Sequence, residues 1–294
     1  MKRILLSIFT MLIYNGIFAQ SAWLRAKGET YLQFSTTGIF NYNSLFLGDM
    51  DYDLHTRGTD ISVQLYGEYG LTENMTLFGS IPFKHLNFKE TDSSITVYEI
   101  DPISGIIYDN GEITLPKGGT LFGLSNIDLG IRQLVLDRDL IMSVQLAISI
   151  PTISSDSNKG LRTGYDATIL KPGLSVGYSK QNYFIQCFVG YEYFNNNYSD
   201  RFKGYLEAGV QFKGKLWLIA YLDILESLNN GSRSEMLYEW MGLYVDNQEY
   251  AAVGFKLIYE LNEQFGITFN PGGAFSAYLL PKSAAYTLGT YLKF

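Results

Sequence analysis

In the stretch 60–70, DISVQLYGEYG, apolar and polar positions alternate. Ile61, Val63, Leu65, Gly67 and Tyr69 fall on one side of an extended chain, and Ser62, Gln64, Tyr66 and Glu68 on the other. The stretch 140–150 repeats the pattern, with Leu140, Met142, Val144, Leu146, Ile148 and Ile150 set against Ser143, Gln145, Ala147 and Ser149. Helical spacing would mix the two sets, so a period of two marks both stretches as strands. The period recurs in about twelve segments, near 30–41, 59–70, 75–88, 124–136, 140–151, 167–179, 183–194, 201–212, 216–225, 249–260, 264–270 and 284–294. Each is about as long as a tilted strand that crosses a bilayer.

The connections sort themselves. Five are tight and polar: Thr72-Glu73-Asn74, Asp137-Arg138-Asp139, Lys180-Gln181-Asn182, Lys213-Gly214-Lys215 and Leu261-Asn262-Glu263. Six longer ones, near 42–58, 89–123, 152–166, 195–200, 226–248 and 271–283, alternate with them. A soluble sandwich has no reason to sort its loops this way, whereas a membrane barrel has short periplasmic turns and long extracellular loops. Beside the short turns and the C-terminus, the apolar face carries Tyr69, Tyr178, Tyr183, Phe212, Tyr259, Phe265 and Phe294. Rings at one level form an aromatic girdle at the headgroup region, and Tyr193 and Phe202 flank a loop at the opposite level. A secreted sandwich or lipocalin-like barrel also alternates, but neither accounts for the sorted loops. The pattern predicts an all-β fold, a transmembrane antiparallel up-and-down β-barrel of about twelve strands.

Composition agrees. The 294 residues are only 17% charged but 15% aromatic, with 23 Tyr and 29 Gly, which favours strands and turns over helices. A net charge of -7 argues against nucleic acid as a partner. The single cysteine, Cys187, excludes an internal disulfide framework and a multi-cysteine metal site; it lies on the apolar face between Ile185 and Val189. Lys2 and Arg3, a short apolar run and Ala19 read as a secretory signal peptide over 1–19, followed by one barrel domain over 20–294. The run is short for a membrane anchor, and no cysteine follows it to carry a lipid. The first strand begins about ten residues after the cut, which leaves no room for a plug domain.

If the apolar face meets lipid, the polar face lines the lumen. Its ionisable residues include Glu68, Asp128, Arg132, Lys171, Glu192, Glu207, Asp223 and Lys256. Mixed signs mark no strongly ion-selective pore and allow pairing across a narrow lumen. Rings share this face: Tyr66, Phe78, Phe184, Phe188, Tyr205, Trp217 and Tyr221. They suit a small hydrophobic or aromatic ligand, or else they simply fill the barrel. Both readings stand on the sequence.

The turn Gly70-Leu71-Thr72-Glu73-Asn74, then Met75-Thr76-Leu77 and Ser80-Ile81-Pro82, resembles the second hairpin of the outer-membrane "MetA-pathway of phenol degradation" transporter-like family. Gly123-Leu124-Ser125-Asn126-Ile127-Asp128-Leu129-Gly130 is similar to that family's next strand, and Ile150-Pro151-Thr152 to the end of the strand after it. The likeness covers about the middle third of the chain and departs at 89–123. It implies an outer-membrane location, lipid around the barrel and passage of small hydrophobic or aromatic compounds. It also implies recognition of the terminal strand, AYTLGTYLKF, by the barrel assembly machinery. In 89–123, Asn110-Gly111 predicts the turn of an extra hairpin, expected to fold over the mouth and gate it.

Candidate chemistry is sparse. His85 and Ser80 could be drawn as a pair, but both lie on one strand with no acidic partner to orient the base, and His55 lies in a loop. No catalytic residue and no cofactor motif is assigned. Asp49, Asp51 and Asp53 have the spacing of a calcium loop, yet Leu54 stands where such a loop needs Gly, so a solvated acidic loop is preferred. The function expected is a passive outer-membrane channel for small hydrophobic or aromatic solutes. A non-transport barrel, structural or surface-binding, is the rival, with a lipid-modifying enzyme as a third class.

Overall fold

A computed structural model describes residues 21–90, 94–100, 107–114, 116–233 and 241–294. The signal peptide expected over 1–19 lies outside them. Every regular element among the described residues is a strand. β1 (Thr30–Leu47) and β2 (Met50–Thr72) make a tall hairpin, followed by β3 (Met75–Phe88). β4 (Ser94–Ile100) and β5 (Ile107–Thr114) form a separate two-stranded sheet. β6 (Gly119–Leu124) and β7 (Ile127–Asp137) pair in turn with the upper and lower parts of β3. β8 (Ile141–Ile150) comes next, and then the small hairpin of β9 (Ser155–Asp156) and β10 (Leu161–Arg162). β11 (Ile169–Lys180), β12 (Tyr183–Phe194), β13 (Arg201–Phe212) and β14 (Leu216–Ser227) continue the wall. β15 (Glu249–Glu260), β16 (Phe265–Pro281) and β17 (Ala285–Lys293) complete it.

Neighbouring strands are antiparallel all the way round, and β17 returns to β1 with Tyr31 opposite Lys293 and Ile39 opposite Ala285. Thr30 and Phe294 exchange backbone bonds of 2.7 and 3.0 Å at the foot of that seam. With β4, β5, β6, β9 and β10 set aside, twelve strands close the barrel, so no sheet edge is left unpaired in the wall.

The outer face carries a band of exposed apolar side chains that runs round the wall, among them Leu65, Ile81, Leu129, Leu146, Val189, Leu206, Val253 and Leu288. Water would not tolerate so large an apolar surface on a monomer, and lipid does. Cys187 is exposed on this face, as expected. Five of the seven rings assigned to the lower girdle, Tyr69, Tyr183, Phe212, Tyr259 and Phe294, are exposed at one level, and Tyr178 packs beside Tyr183 at 6.3 Å. Tyr193 and Phe202 are exposed at the other.

Three local expectations change. The segment 42–58 is strand, not loop: β1 and β2 stay paired up to Leu47 opposite Met50. Much of 271–283 likewise continues β16, which reaches Pro281 and pairs there with Leu45 of β1. The extra hairpin in 89–123 exists, but its strands pair Ile100 with Ile107, which places the reversal between them. Asn110-Gly111 falls instead opposite the register shift between Thr96 and Tyr98. A bulge also takes residues outside regular strand geometry, so Asn-Gly serves it as readily as a turn.

Candidate functional site in the barrel lumen

All seven rings expected to face inward do so: Tyr66, Phe78, Phe184, Phe188, Tyr205 and Trp217 are buried, and Tyr221 sits among them. Their packing explains the abundance of glycine. Phe78 lies against Gly130 of β7, Phe188 against Gly173 of β11, Phe184 against Gly209 of β13, and Tyr221 over Gly254 and Gly272. At each of these glycines a Cβ would collide with the ring. Phe78, Phe184, Phe188 and Tyr221 therefore each lie against the backbone of a neighbouring strand, while Tyr66, Phe78, Phe184 and Trp217 also meet one another inside the barrel.

The eight ionisable residues assigned to the lumen also point inward, and each finds an opposite charge. Asp128 pairs with Lys171 at 3.0 Å, Glu207 with Lys256 at 2.6 Å, and Glu192 with Arg201 at 2.6 Å. Asp223 pairs with Lys203, which Tyr250 also contacts. Glu68 takes two partners: Arg132 at 3.3 Å and Arg25 at 2.5 Å.

Arg25 is the residue the sequence reading missed. It belongs to the short segment ahead of β1, which turns back into the periplasmic end of the lumen. Its guanidinium lies 4.5 Å from the Tyr31 ring, and its backbone N–H donates to Thr76 Oγ1 at 2.9 Å. Ala22 N–H donates to Gln186 Oε1, and Gln186 donates in turn to Glu207. Trp23 packs edge-on against Phe184 at 5.7 Å, and its carbonyl accepts from Arg132. Trp23 joins Tyr31, Tyr66, Phe78, Trp217 and Tyr291 in one apolar cluster. No plug domain is present among the described residues, but a few residues suffice to stopper a lumen this narrow. Arg25, Glu68 and Arg132 are all but fully buried, so removing Glu68 strands two guanidinium charges at a cost of about 3–5 kcal/mol, whereas removing either arginine leaves Glu68 paired with the other.

The opposite mouth is capped from above. Leu161 of β10 and Met241 and Leu243 of the segment before β15 are buried against Tyr42, Leu45, Leu54, Leu86 and Phe88 of the tall strands. Arg162, fully buried, donates to the Leu243 carbonyl and to the Tyr198 hydroxyl, each at 3.0 Å. Tyr198 donates to Asp166 Oδ1 at 2.7 Å, and Arg233 to Asp166 Oδ2 at 2.6 Å. Burial pushes the Asp166 carboxyl up, but these hydrogen bonds outweigh it and hold the group below the usual carboxylate range. Below this, Tyr165 accepts from Arg201 and donates to Gln248. The cap is thus cross-linked by polar side chains as well as by apolar packing.

Between stopper and cap lie two chambers. One, of about 150 Å³, is lined by Tyr66, Phe78, Pro172 and Phe188 and by the paired ions Asp128 and Lys171. The other, of about 250 Å³, is lined mainly by uncharged polar groups, including Gln33, Thr37, Thr268, Asn270 and Thr287. Gln64 and Tyr66 border both, so the chambers adjoin.

The remaining candidates do not converge. Ser80 is buried on the inner face of β3 and His85 exposed on its outer face, so they cannot act as a pair. Asp51 holds Lys282 at 2.6 Å, and Asp53 accepts the His55 N–H. Among the described residues no three potential metal ligands gather.

A closed antiparallel barrel with an apolar belt, girdle rings, short turns at one end and a capped mouth at the other is an outer-membrane β-barrel. No family model matches the chain, and no curated protein matches it by sequence. The fold is similar to that of an outer membrane channel from Pseudomonas putida F1, with a TM-score of 0.65 at 12% identity over 95% of this chain and 100% of that one. The toluene transporter TbuX of Ralstonia pickettii aligns with a TM-score of 0.47 at 9% identity, over 92% of this chain and 90% of that one.

Proposed function

We propose that this barrel is a passive outer-membrane channel for small solutes of hydrophobic or aromatic character. The observation that carries the reading is the pair of adjoining chambers that remain beside the packed ring cluster, with short segments closing each end. A barrel filled for stability alone needs no such chambers. Here the closures are a few residues of stopper and a cap of loop segments, both of which can be displaced without opening the wall. Solutes would pass by diffusion, with stopper and cap as gates. The hairpin of β4 and β5 is a further gate in this proposal.

The same closures favour a second reading, a sealed structural or surface-binding barrel. Entry of phenol-sized solutes into liposomes separates the two, measured for the intact chain and for a chain lacking 21–26. The channel reading expects measurable flux that rises on deletion. A folded barrel that stays sealed in both forms leaves only the second reading.

A further inference from the structure

Resting on the channel reading, the structure assigns a narrower solute class: we infer that the lumen accepts an uncharged aromatic ring joined to a hydroxyl-rich ring, the chemistry of an aryl glycoside. Three observations carry it. The chamber lined by Phe78, Phe188 and Pro172, with Asp128, Lys171 and Glu192 beside them, measures about 150 Å³. An engineered apolar cavity of about that size takes up one benzene. By volume this chamber has room for one aromatic ring, which Phe78 and Phe188 would face.

The adjoining chamber differs in chemistry as well as size. At about 250 Å³ it is lined by hydroxyls and carboxamides, and a hydrocarbon there would strip water from those groups without replacing it. Asn270 lines this chamber and Gln145 the aromatic one, and each has a buried carboxamide oxygen with no hydrogen-bond partner. Such acceptors suit solute hydroxyls. Tyr66, shared by the two chambers, offers a ring at their junction, and Gln64 a carboxamide beside it.

The third observation sets the charge. Lys171 and Glu192 at the lip of the aromatic chamber, and Lys256 in the wall of the polar one, are each engaged by an opposite charge of the barrel itself. A charged solute would lose its hydration and meet ions already paired. An uncharged solute loses nothing of the kind.

The test is equilibrium binding to the full-length protein in detergent micelles, with phenyl β-D-glucopyranoside, phenol and glucose as probes. The inference expects the glucoside to bind at least tenfold more tightly than either half alone, because one molecule then occupies both chambers. It also expects Asn270→Leu, which alters the polar chamber only, to weaken the glucoside by roughly tenfold through a lost hydrogen bond and to leave phenol unchanged. The ranking on the unaltered protein decides the matter even if that variant does not fold. Phenol binding as tightly as the glucoside, or more tightly, overturns the inference but leaves the channel reading intact. Binding of none of the three, together with sealed liposomes, removes both.

Discussion

Arg25 Nε donates to Glu68 Oε2 at 2.5 Å, tying a residue that precedes the first strand to the inner wall of β2. Glu68 is held at the same time by Arg132 and by the Tyr66 hydroxyl. The stopper is therefore anchored to two strands, β2 and β7, through one carboxylate. Glu68→Gln should free it, raise single-channel conductance and cost about 3–5 kcal/mol in unfolding free energy. Conductance unchanged from the parent protein would mean that the segment does not gate.

Phe188 lies where Gly173 and Gly190 leave it room. Gly173→Val should push the ring into the aromatic chamber and lower flux of aromatic solutes several-fold, with a packing cost of about 1–3 kcal/mol. Flux of a solute smaller than one ring should change less. Equal losses for both would argue against the chamber as the route.

Asp166 gives the cap a pH dependence. Its carboxyl titrates below the ordinary value of 3.8 in the folded state, so its contribution is complete above that value and is lost as pH falls through the lower one. Protease access to 151–168 should therefore stay constant from neutral pH to about pH 4 and rise only below it. Asp166→Asn should remove that dependence.

The β4–β5 hairpin and the cap make separate predictions about the outer gate. Arg162→Ala strands the Leu243 carbonyl, removes one of the two hydrogen bonds of the Tyr198 hydroxyl and should open the mouth, raising flux. Deleting 95–118 should raise it too if the hairpin gates. If only Arg162→Ala acts, gating belongs to the cap alone.

Phe294 lies at the seam and on the outer girdle, away from both chambers. Its removal should reduce membrane insertion, read as the heat-modifiable folded fraction, more than it reduces flux per inserted barrel.

The strands were legible because lipid on one side and lumen on the other impose a period of two, as at Val63 and Gln64. Direction was legible for the same reason, so every assigned inner charge and ring does face inward. Partners were not. Glu68 and Arg132 sit on strands separated by β3, and nothing in the chain states how far β7 is shifted against β2. The stopper escaped notice because Trp23 and Arg25 belong to no alternating run. The tall hairpin was misread because above the membrane both faces of 42–58 are wet or covered by cap, which blurs the alternation around Asp49, Asp51 and Asp53. The glycines opposite Phe78 and Phe188 were counted but not placed, since their partners are rings on other strands.

The seam between β1 and β17 has a consequence for how the molecule comes to exist. Apart from the short contact of β1 with β16 above it, every other junction joins wall strands that are neighbours in chain order, and this one joins the first wall strand to the last. Pairing so distant in sequence is slow to form. Until Thr30 meets Phe294 the chain is an open sheet with two bare edges, each a template for a wrong partner. The stopper is attached to one of those edges, so it must be indoors when the door shuts. The hazardous moment for this protein comes before it carries any solute.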